Sequence, residues 1–179
     1  MATLEVSRSI SLPRRDVFRA YRDSPEVLSP YLSRVESIEL RRRDTLGENI
    51  VQTVTRWKPL DPDVPDIIEK YVDPDILGWS IITTWYEDEW FCEWEVRTGF
   101  IEDAVRYSGS NSFESTGKQS TLVTIHGNVT VEATRIPGVP GLVSSQLSQG
   151  AETFLVRLLR PTFEDILGAL ENHFNSSTS

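Results

Sequence analysis

The sequence predicts an α+β fold in which a curved antiparallel β-sheet wraps around one long C-terminal α-helix, with two short helices after the first strand. Three observations support this prediction. Segments that alternate apolar and polar residues begin near Ala2 and recur along the chain, as in half-buried strands. Glycine, proline and acidic residues separate these segments, as in turns. An apolar stripe at helical spacing then runs from Gly138 to Phe174.

The strands follow from alternation with period two. Residues 2–11 form the first strand, with Leu4, Val6 and Ile10 on one face. A second strand is expected from Val35 onwards. The second strand leads into a hairpin turn at Asp44–Gly47, and further strands are expected at residues 48–57, 79–86, 90–98, 105–113 and 122–133. Residues 67–72 fit either a short strand or a helical turn, and both alternatives stay open.

Serine and proline positions predict where the helices begin. Ser11 as a cap and Pro13 in the first turn indicate one short helix, and Ser24 with Pro25 indicates a second. The long final helix contains Pro161. Because proline removes a backbone hydrogen bond and crowds the preceding turn, we expect this helix to be kinked or split there.

The composition is that of a globular protein. The chain has 179 residues, of which 39% are hydrophobic and 25% charged, so one hydrophobic core is expected. We predict a single domain over residues 1–175 and a disordered tail over residues 176–179. A formal net charge of -9 makes nucleic acid a poor partner, since an acidic surface repels phosphate groups.

Cysteine content and hydropathy bear on the compartment. Cys92 is the one cysteine, which excludes an intrachain disulfide and fits a reducing compartment. Residues 1–15 lack the apolar stretch of a signal peptide, and no apolar run is long enough to predict a membrane span. We therefore expect a cytoplasmic protein whose contact with a membrane surface is at most transient.

The order of elements resembles the START, or SRPBCC, superfamily, which is the helix-grip fold of the birch-pollen allergens and lipid-transfer domains. The resemblance covers nearly the whole chain. It rests on the opening strand with SLPRRDVFRAYRDSPEVLSPYL, and on IPGVPGL followed by the long helix. The segments EWEVRTG and STLVTIHGNVTVEA are similar to paired strands of a bacterial branch of unknown function.

This resemblance implies a range of functions. Members bind lipids, sterols, polyketides or plant hormones, some cyclise or dehydrate polyketides, and others are chaperone cofactors. The superfamily has no universal catalytic motif, so the resemblance implies no catalytic residue in this chain. Fold membership alone does not decide among these functions.

Aromatic residues on the inward strand faces predict a ligand cavity. Alternation puts Trp79 and Trp85 on one face of their strand and Trp94 on the same side of the next. Aromatic residues at this spacing also fill ordinary cores, so a solid core and the cavity implied by the resemblance both stay open. The candidate cavity residues are Trp79, Thr83, Trp85, Cys92, Trp94, Thr98, Tyr107, Asn111, Phe154 and Leu158.

Other chemistries find little support in the sequence. Cys92 has apolar and acidic neighbours and is expected to be a small buried side chain. Alternation places His126 outward, and His173 lies near the end of the last helix, so neither a catalytic triad nor a histidine metal site is expected. Asp61–Asp66 lacks the glycine and glutamate of a calcium loop. Arg41–Arg43 is interpreted as a solvated strand edge. We expect no cofactor and no metal.

Three hypotheses on function remain. The first is binding or carriage of a hydrophobic small molecule, such as a lipid, a sterol or a polyketide-like compound, in an internal cavity. The second is a cyclase or dehydratase acting in the same cavity with a polar pair such as Tyr107 and Asn111. The third is a protein-interaction module of the chaperone-cofactor type, which predicts an exposed apolar patch. The oligomeric state stays open.

Overall fold

A computed structural model describes residues 1–60, 78–98, 104–135 and 144–176. Within these ranges the chain forms one seven-stranded antiparallel sheet. The strands are β1 (Ala2–Ile10), β2 (Val35–Gly47), β3 (Ile50–Pro59), β4 (Trp79–Tyr86), β5 (Phe91–Thr98), β6 (Val105–Gly117) and β7 (Ser120–Val131). The helices are α1 (Arg14–Asp23) and α2 (Ser144–Ser176), with 3-10 helices at Pro25–Tyr31 and Ala133–Arg135.

The sheet is a meander that the first strand joins at the far end. Its order is β1-β7-β6-β5-β4-β3-β2, and every neighbouring pair is antiparallel. Helix α2 packs against β1, β7 and the 3-10 helix Pro25–Tyr31. The predicted α+β architecture, a curved sheet around a long C-terminal helix with short helices after the first strand, is confirmed.

The core lies between the inner face of the sheet and α2. Val123, Ile125 and Val129 of β7 are fully buried, as the alternation of that strand requires. Leu167 and Leu170 of α2 are equally buried against them. Burial of each such side chain contributes about 1.5–3 kcal/mol, so these contacts hold the helix on the sheet.

The turn between β2 and β3 lies later than predicted. The segment Asp44–Gly47 still belongs to β2, and Gly47 pairs with Ile50. The turn therefore consists of residues 48 and 49, and Asn49 has a φ of 63°. Asparagine tolerates this left-handed conformation, so the turn does not need the glycine on which the prediction relied.

Of the two predicted helix caps, the one at Ser11 is wrong. Helix α1 begins at Arg14 with Pro13 in the capping position, so Ser11 is not its cap. Ser24 does stand at the N-cap position of the second short helix, with Pro25 in the first turn, but its side chain makes no capping hydrogen bond. The second short helix is a 3-10 helix, which suits a segment with a proline inside it.

Helix α2 continues through Pro161, so the predicted split is wrong. The ring of Pro161 is exposed, while Phe163 and Ile166 in the next turn are buried in the core. Their packing holds the helix together across the missing hydrogen bond. The helix also includes Ser176, which was assigned to the tail. The segments 67–72 and 138–143, and the rest of the tail, lie outside the described residues.

Across the described ranges, no helix has the length and hydrophobicity needed to cross a membrane.

Candidate functional site

A cavity of about 290 Å³ remains between the concave face of the sheet and α2. Side chains of α1, the 3-10 helix Pro25–Tyr31, the six strands β2 to β7 and α2 line it, and most of them are aromatic or aliphatic. This volume lies at the lower end of the roughly 300–1,000 Å³ typical of small-molecule sites. The size therefore suits a compact ligand better than a lipid with two long chains.

The structure brings most of the predicted cavity residues together. The predicted residues that line the cavity are Trp79, Thr83, Trp85, Cys92, Trp94, Tyr107 and Asn111. Thr98 lies on β5, and Phe154 and Leu158 lie on α2, but their side chains fall outside the described ones. That these ten residues take part in ligand binding stays a prediction.

Strand β4 shows why the alternation of side chains along a strand predicted which face lines the cavity. Trp79, Ile81, Thr83 and Trp85 all line the cavity, and each is separated from the next by one residue on the opposite face. Successive side chains of a strand point to opposite faces, so a shift of one residue in register would turn both indoles outward.

The polar atoms of three tryptophans are bonded to other side chains of the cavity wall. Trp57 Nε1 donates a hydrogen bond of 2.9 Å to Thr55 Oγ1, and Trp85 Nε1 donates one of 2.9 Å to Thr53 Oγ1. Trp94 Nε1 donates one of 2.8 Å to Asn111 Oδ1 (these residues all line the cavity). The indoles are therefore fixed in place and present apolar ring surface to a ligand.

Strand β3 is one part of the wall that sequence reasoning missed, and Tyr21 of α1 and Phe163 of α2 are others. Thr53, Thr55 and Trp57 share the inner face of this strand, where all three are buried. The signal was present, because Val51 continues the same alternation. The sequence does not show that these inward threonines accept hydrogen bonds, because their indole donors are identified only once the strands are paired.

A group of polar side chains lies together in the lining, and we call Tyr21, Cys92, Asn111 and Tyr107 the polar cluster. Cys92 and Asn111 are directly opposite each other in the β5–β6 pair. The backbone N–H of Asn111 reaches the Cys92 thiol, and the Asn111 side chain reaches the Tyr21 hydroxyl. Asn111 therefore lies at the centre of the cluster.

The titratable side chains of the polar cluster, Tyr21, Cys92 and Tyr107, all have raised pKa values. Burial raises the pKa of the Tyr107 hydroxyl far above its ordinary value, and proximity to Tyr21 raises it further. Burial likewise raises the pKa of Tyr21, an effect that Cys92 increases and Asn111 opposes. The pKa of Cys92 is raised mainly by burial. At neutral pH these groups are uncharged hydrogen-bond donors, and none of them is a ready base or nucleophile.

Gly109 makes room for the tryptophan at the cluster. It lies directly opposite Trp94 in the β5–β6 pair. A Cβ at this position would lie 2.3 Å from Trp94 Cζ2 and 2.0 Å from the carbonyl oxygen of His126. The indole thus occupies the space that any other residue's side chain would fill.

Charged groups lie mostly away from the cavity. Arg34 lines it but is exposed, and it is the one charged side chain in the described lining. His126 is exposed and lies 3.1 Å from Glu5, in agreement with its predicted outward position. Arg41–Arg43 is exposed on the edge strand β2, as expected of a solvated edge. In the described ranges no three histidine, cysteine or acidic side chains are grouped to hold a metal.

No protein-family model and no curated protein matches the chain in sequence. Solved structures do match in shape. A Thermus thermophilus protein has a TM-score of 0.67 at 24% identity, with 99% of this chain and 100% of that chain covered. The Zhui aromatase/cyclase of a Streptomyces species has a TM-score of 0.68 at 13% identity, covering 99% and 96%.

A START superfamily protein from Mycobacterium smegmatis also matches, with a TM-score of 0.57 at 16% identity and 97% of each chain covered. Identities this low show a shared fold and leave the activity open. The order of strands, the closing helix and these matches agree with one another. The protein has the helix-grip fold of the START/SRPBCC superfamily.

Proposed function

We propose that the protein binds or carries a compact hydrophobic molecule, such as a sterol-like, lipid-like or polyketide-like compound, in the cavity beneath α2. One observation carries this proposal. A space of about 290 Å³ lies beside packed aromatic rings, and large aromatic and aliphatic side chains form most of its wall. Hydrogen bonds to Thr53, Thr55 and Asn111 hold three of the indoles against the wall.

The energetics of such a site are favourable for an apolar ligand. Transfer of about 300 Å² of ligand surface out of water supplies roughly 7 kcal/mol before the cost of association is subtracted. Because the N–H groups of Trp57, Trp85 and Trp94 are already bonded within the protein, a ligand without matching acceptors leaves none of these three unpaired. The wall therefore accepts hydrocarbon and aromatic surface.

A cyclase or dehydratase acting in the same cavity is the second candidate. Tyr107 and Asn111 both line the cavity, as that hypothesis requires, and the Zhui protein of similar shape is named an aromatase/cyclase. However, the polar cluster offers donors whose pKa values are raised, and it contains no carboxylate or histidine to act as a base. Binding is therefore the better supported function.

The proposal also includes the cellular compartment of the protein and the extent of its ligand-binding domain. We place it in the cytoplasm, because its single cysteine is buried and unpaired and suits a reducing compartment. We further propose that residues 1–175 act as one ligand-binding domain.

A matched pair of variants tests the proposed function. Ile81 lines the cavity, whereas the next residue, Ile82, does not. Ile81→Trp places an indole in the cavity, and Ile82→Trp places one on the opposite face of the same strand. We expect small molecules that co-purify with the wild type, detected by native mass spectrometry and solvent extraction, to be lost from Ile81→Trp and retained by Ile82→Trp.

Two results would contradict the proposal. The first is a wild-type protein that carries no extractable molecule and binds no compound from an apolar panel of sterols, fatty acids and polycyclic aromatics. The second is equal binding by the two variants, with thermal unfolding showing that both are folded. Either result would mean that the space beneath α2 is not a ligand site.

A further inference from the structure

The hydroxyl of Tyr107 has no hydrogen-bond partner. Tyr107 is only 9% exposed, and its Oη is the one buried polar side-chain atom of the described residues that lacks a partner. Native proteins pair nearly all such groups, because a buried hydroxyl loses its bonds to water and receives nothing in return. An unpaired donor in the wall of a cavity therefore requires an explanation.

The aromatic ring of Tyr107 cannot easily turn to find a partner. It meets the Trp94 ring edge-on at 5.1 Å between centroids and the Phe163 ring at 5.9 Å. A Cβ at Gly127, on the adjacent strand, would lie 3.5 Å from Tyr107 Cε2, so the ring also packs close to that backbone. Contacts from β5, β7 and α2 thus fix the position of the hydroxyl.

None of the neighbouring polar groups lies in hydrogen-bond geometry to Tyr107 Oη. Asn111 Oδ1 already accepts the hydrogen bond of Trp94 Nε1 at 2.8 Å, which turns the amide nitrogen towards Tyr21. The Cys92 thiol already receives the backbone N–H of Asn111. These bonds orient Asn111 and Cys92 towards other partners, and the polar cluster carries no positive charge that would offset a buried anion.

We propose that Tyr107 donates a hydrogen bond to a neutral oxygen of the ligand, such as the carbonyl of a ketone, quinone or lactone. The inference rests on the proposed function, and it adds the class of ligand and the residue that selects it. Phe163 contacts the Tyr107 ring from α2 and also lines the cavity. Because Tyr107 Oη is itself covered in the free protein, the proposal requires a neighbouring side chain of the lining, such as Phe163, to shift when the ligand binds.

The test compares two probes that differ in one carbonyl group. Fluorenone and fluorene have the same three fused rings, and only fluorenone carries a ketone oxygen. Equilibrium dialysis measures the Kd of each probe for the wild type, for Tyr107→Phe and for Tyr86→Phe. Tyr86 is the matched control, because its hydroxyl bonds to Glu93 at the surface of the sheet, away from the cavity.

We expect Tyr107→Phe to weaken fluorenone binding about 2- to 10-fold, the range for one neutral hydrogen bond, and to leave fluorene binding unchanged. Tyr86→Phe should change neither Kd. The infrared carbonyl stretch of fluorenone bound to the wild type should lie below its frequency in hexane. This readout needs no variant, so a stretch at the hexane frequency refutes the proposal even if Tyr107→Phe folds poorly.

The possible failures are distinguishable. If the wild type binds both probes but the carbonyl stretch matches that in hexane, or if Tyr107→Phe affects both probes equally or neither, Tyr107 is not the donor and the proposed function stands. If the wild type binds neither probe, the cavity does not take compact polycyclic molecules and this inference fails, whereas the proposed function fails only if the whole apolar panel of sterols, fatty acids and polycyclic aromatics is also unbound.

Discussion

Trp94 and Asn111 face the same cavity from neighbouring strands, and the indole N–H of Trp94 donates a 2.8 Å hydrogen bond to Asn111 Oδ1. Asn111 is only 1% exposed, so this bond is shielded from water. This hydrogen bond orients the Asn111 amide, and the orientation of the amide determines which way the donors of the polar cluster point.

Asn111→Leu should therefore destabilise the protein by about 1–3 kcal/mol, because it leaves a buried indole N–H without an acceptor. Urea denaturation followed by circular dichroism measures the loss in the free energy of unfolding. In a Trp94→Phe background the donor is absent, so the same substitution should cost clearly less. Equal costs in the two backgrounds would show that the hydrogen bond contributes nothing to stability.

Gly109→Ala should destabilise the protein more strongly, by about 3 kcal/mol or more. The new Cβ would overlap with Trp94 Cζ2 and with the backbone carbonyl of His126, and the backbone cannot give way without breaking the β6–β7 pairing. Gly117→Ala is the control, because the nearest atom to its Cβ would be 3.8 Å away. A small and equal loss for both variants in thermal unfolding would contradict this reading of the structure.

Asp23, the last residue of α1, bonds to Arg22 of the same helix and to Arg43 of β2, so the bond to Arg43 links the helix to the sheet. Arg22 Nε and Nη2 donate to the two Asp23 oxygens at 2.7 and 2.9 Å, and Arg43 Nη1 donates to Oδ1 at 2.7 Å. Partial burial acts to raise the pKa of Asp23, but the bonds to Arg22 and Arg43 outweigh it and hold the pKa below its ordinary value of 3.8. The charged form is thus favoured in the folded protein.

A carboxylate with a lowered pKa in the folded state stabilises the fold above its unfolded pKa and loses that contribution as the pH falls. We expect Asp23→Asn to cost about 1 kcal/mol at pH 7, and the difference from the wild type to shrink as the pH falls from about 4 towards the folded-state pKa. Urea denaturation across this pH range measures it. A difference that stays constant with pH would contradict the role of the charge.

Cys92 should resist thiol reagents in the native protein. Its side chain is fully buried, and burial raises its pKa, so the reactive thiolate is scarce. Reaction with Ellman's reagent at pH 8 should be slower by orders of magnitude in buffer than in 6 M guanidinium chloride. Labelling that is equally fast in both would show that the cavity wall opens readily around β5.

The face of each strand was predictable from the sequence because it depends on a local rule. In β4, Trp79 and Trp85 are separated by an even number of positions, and any pleated strand puts them on one side. The apolar stripe of α2 was predictable for the same kind of reason. The turn at Asn49 and the uncapped start of α1 were missed, because several residue types satisfy the same local geometry.

The hydrogen-bond partners within the cavity could not be predicted in this way. Thr53 accepts from Trp85 only because β3 and β4 pair in one particular register, and that register depends on the packing of the whole sheet. The continuity of α2 through Pro161 likewise depends on contacts that Phe163 and Ile166 make with distant residues.

By itself the sequence determined the order of strands and helices and which side chains face inward, because these follow from spacing along the chain. Only the tertiary structure decided that a space remains beneath α2 and that the hydroxyl of Tyr107 stays unpaired. Volume left between elements and the pairing of polar atoms depend on distances between residues far apart in sequence, which no local pattern encodes.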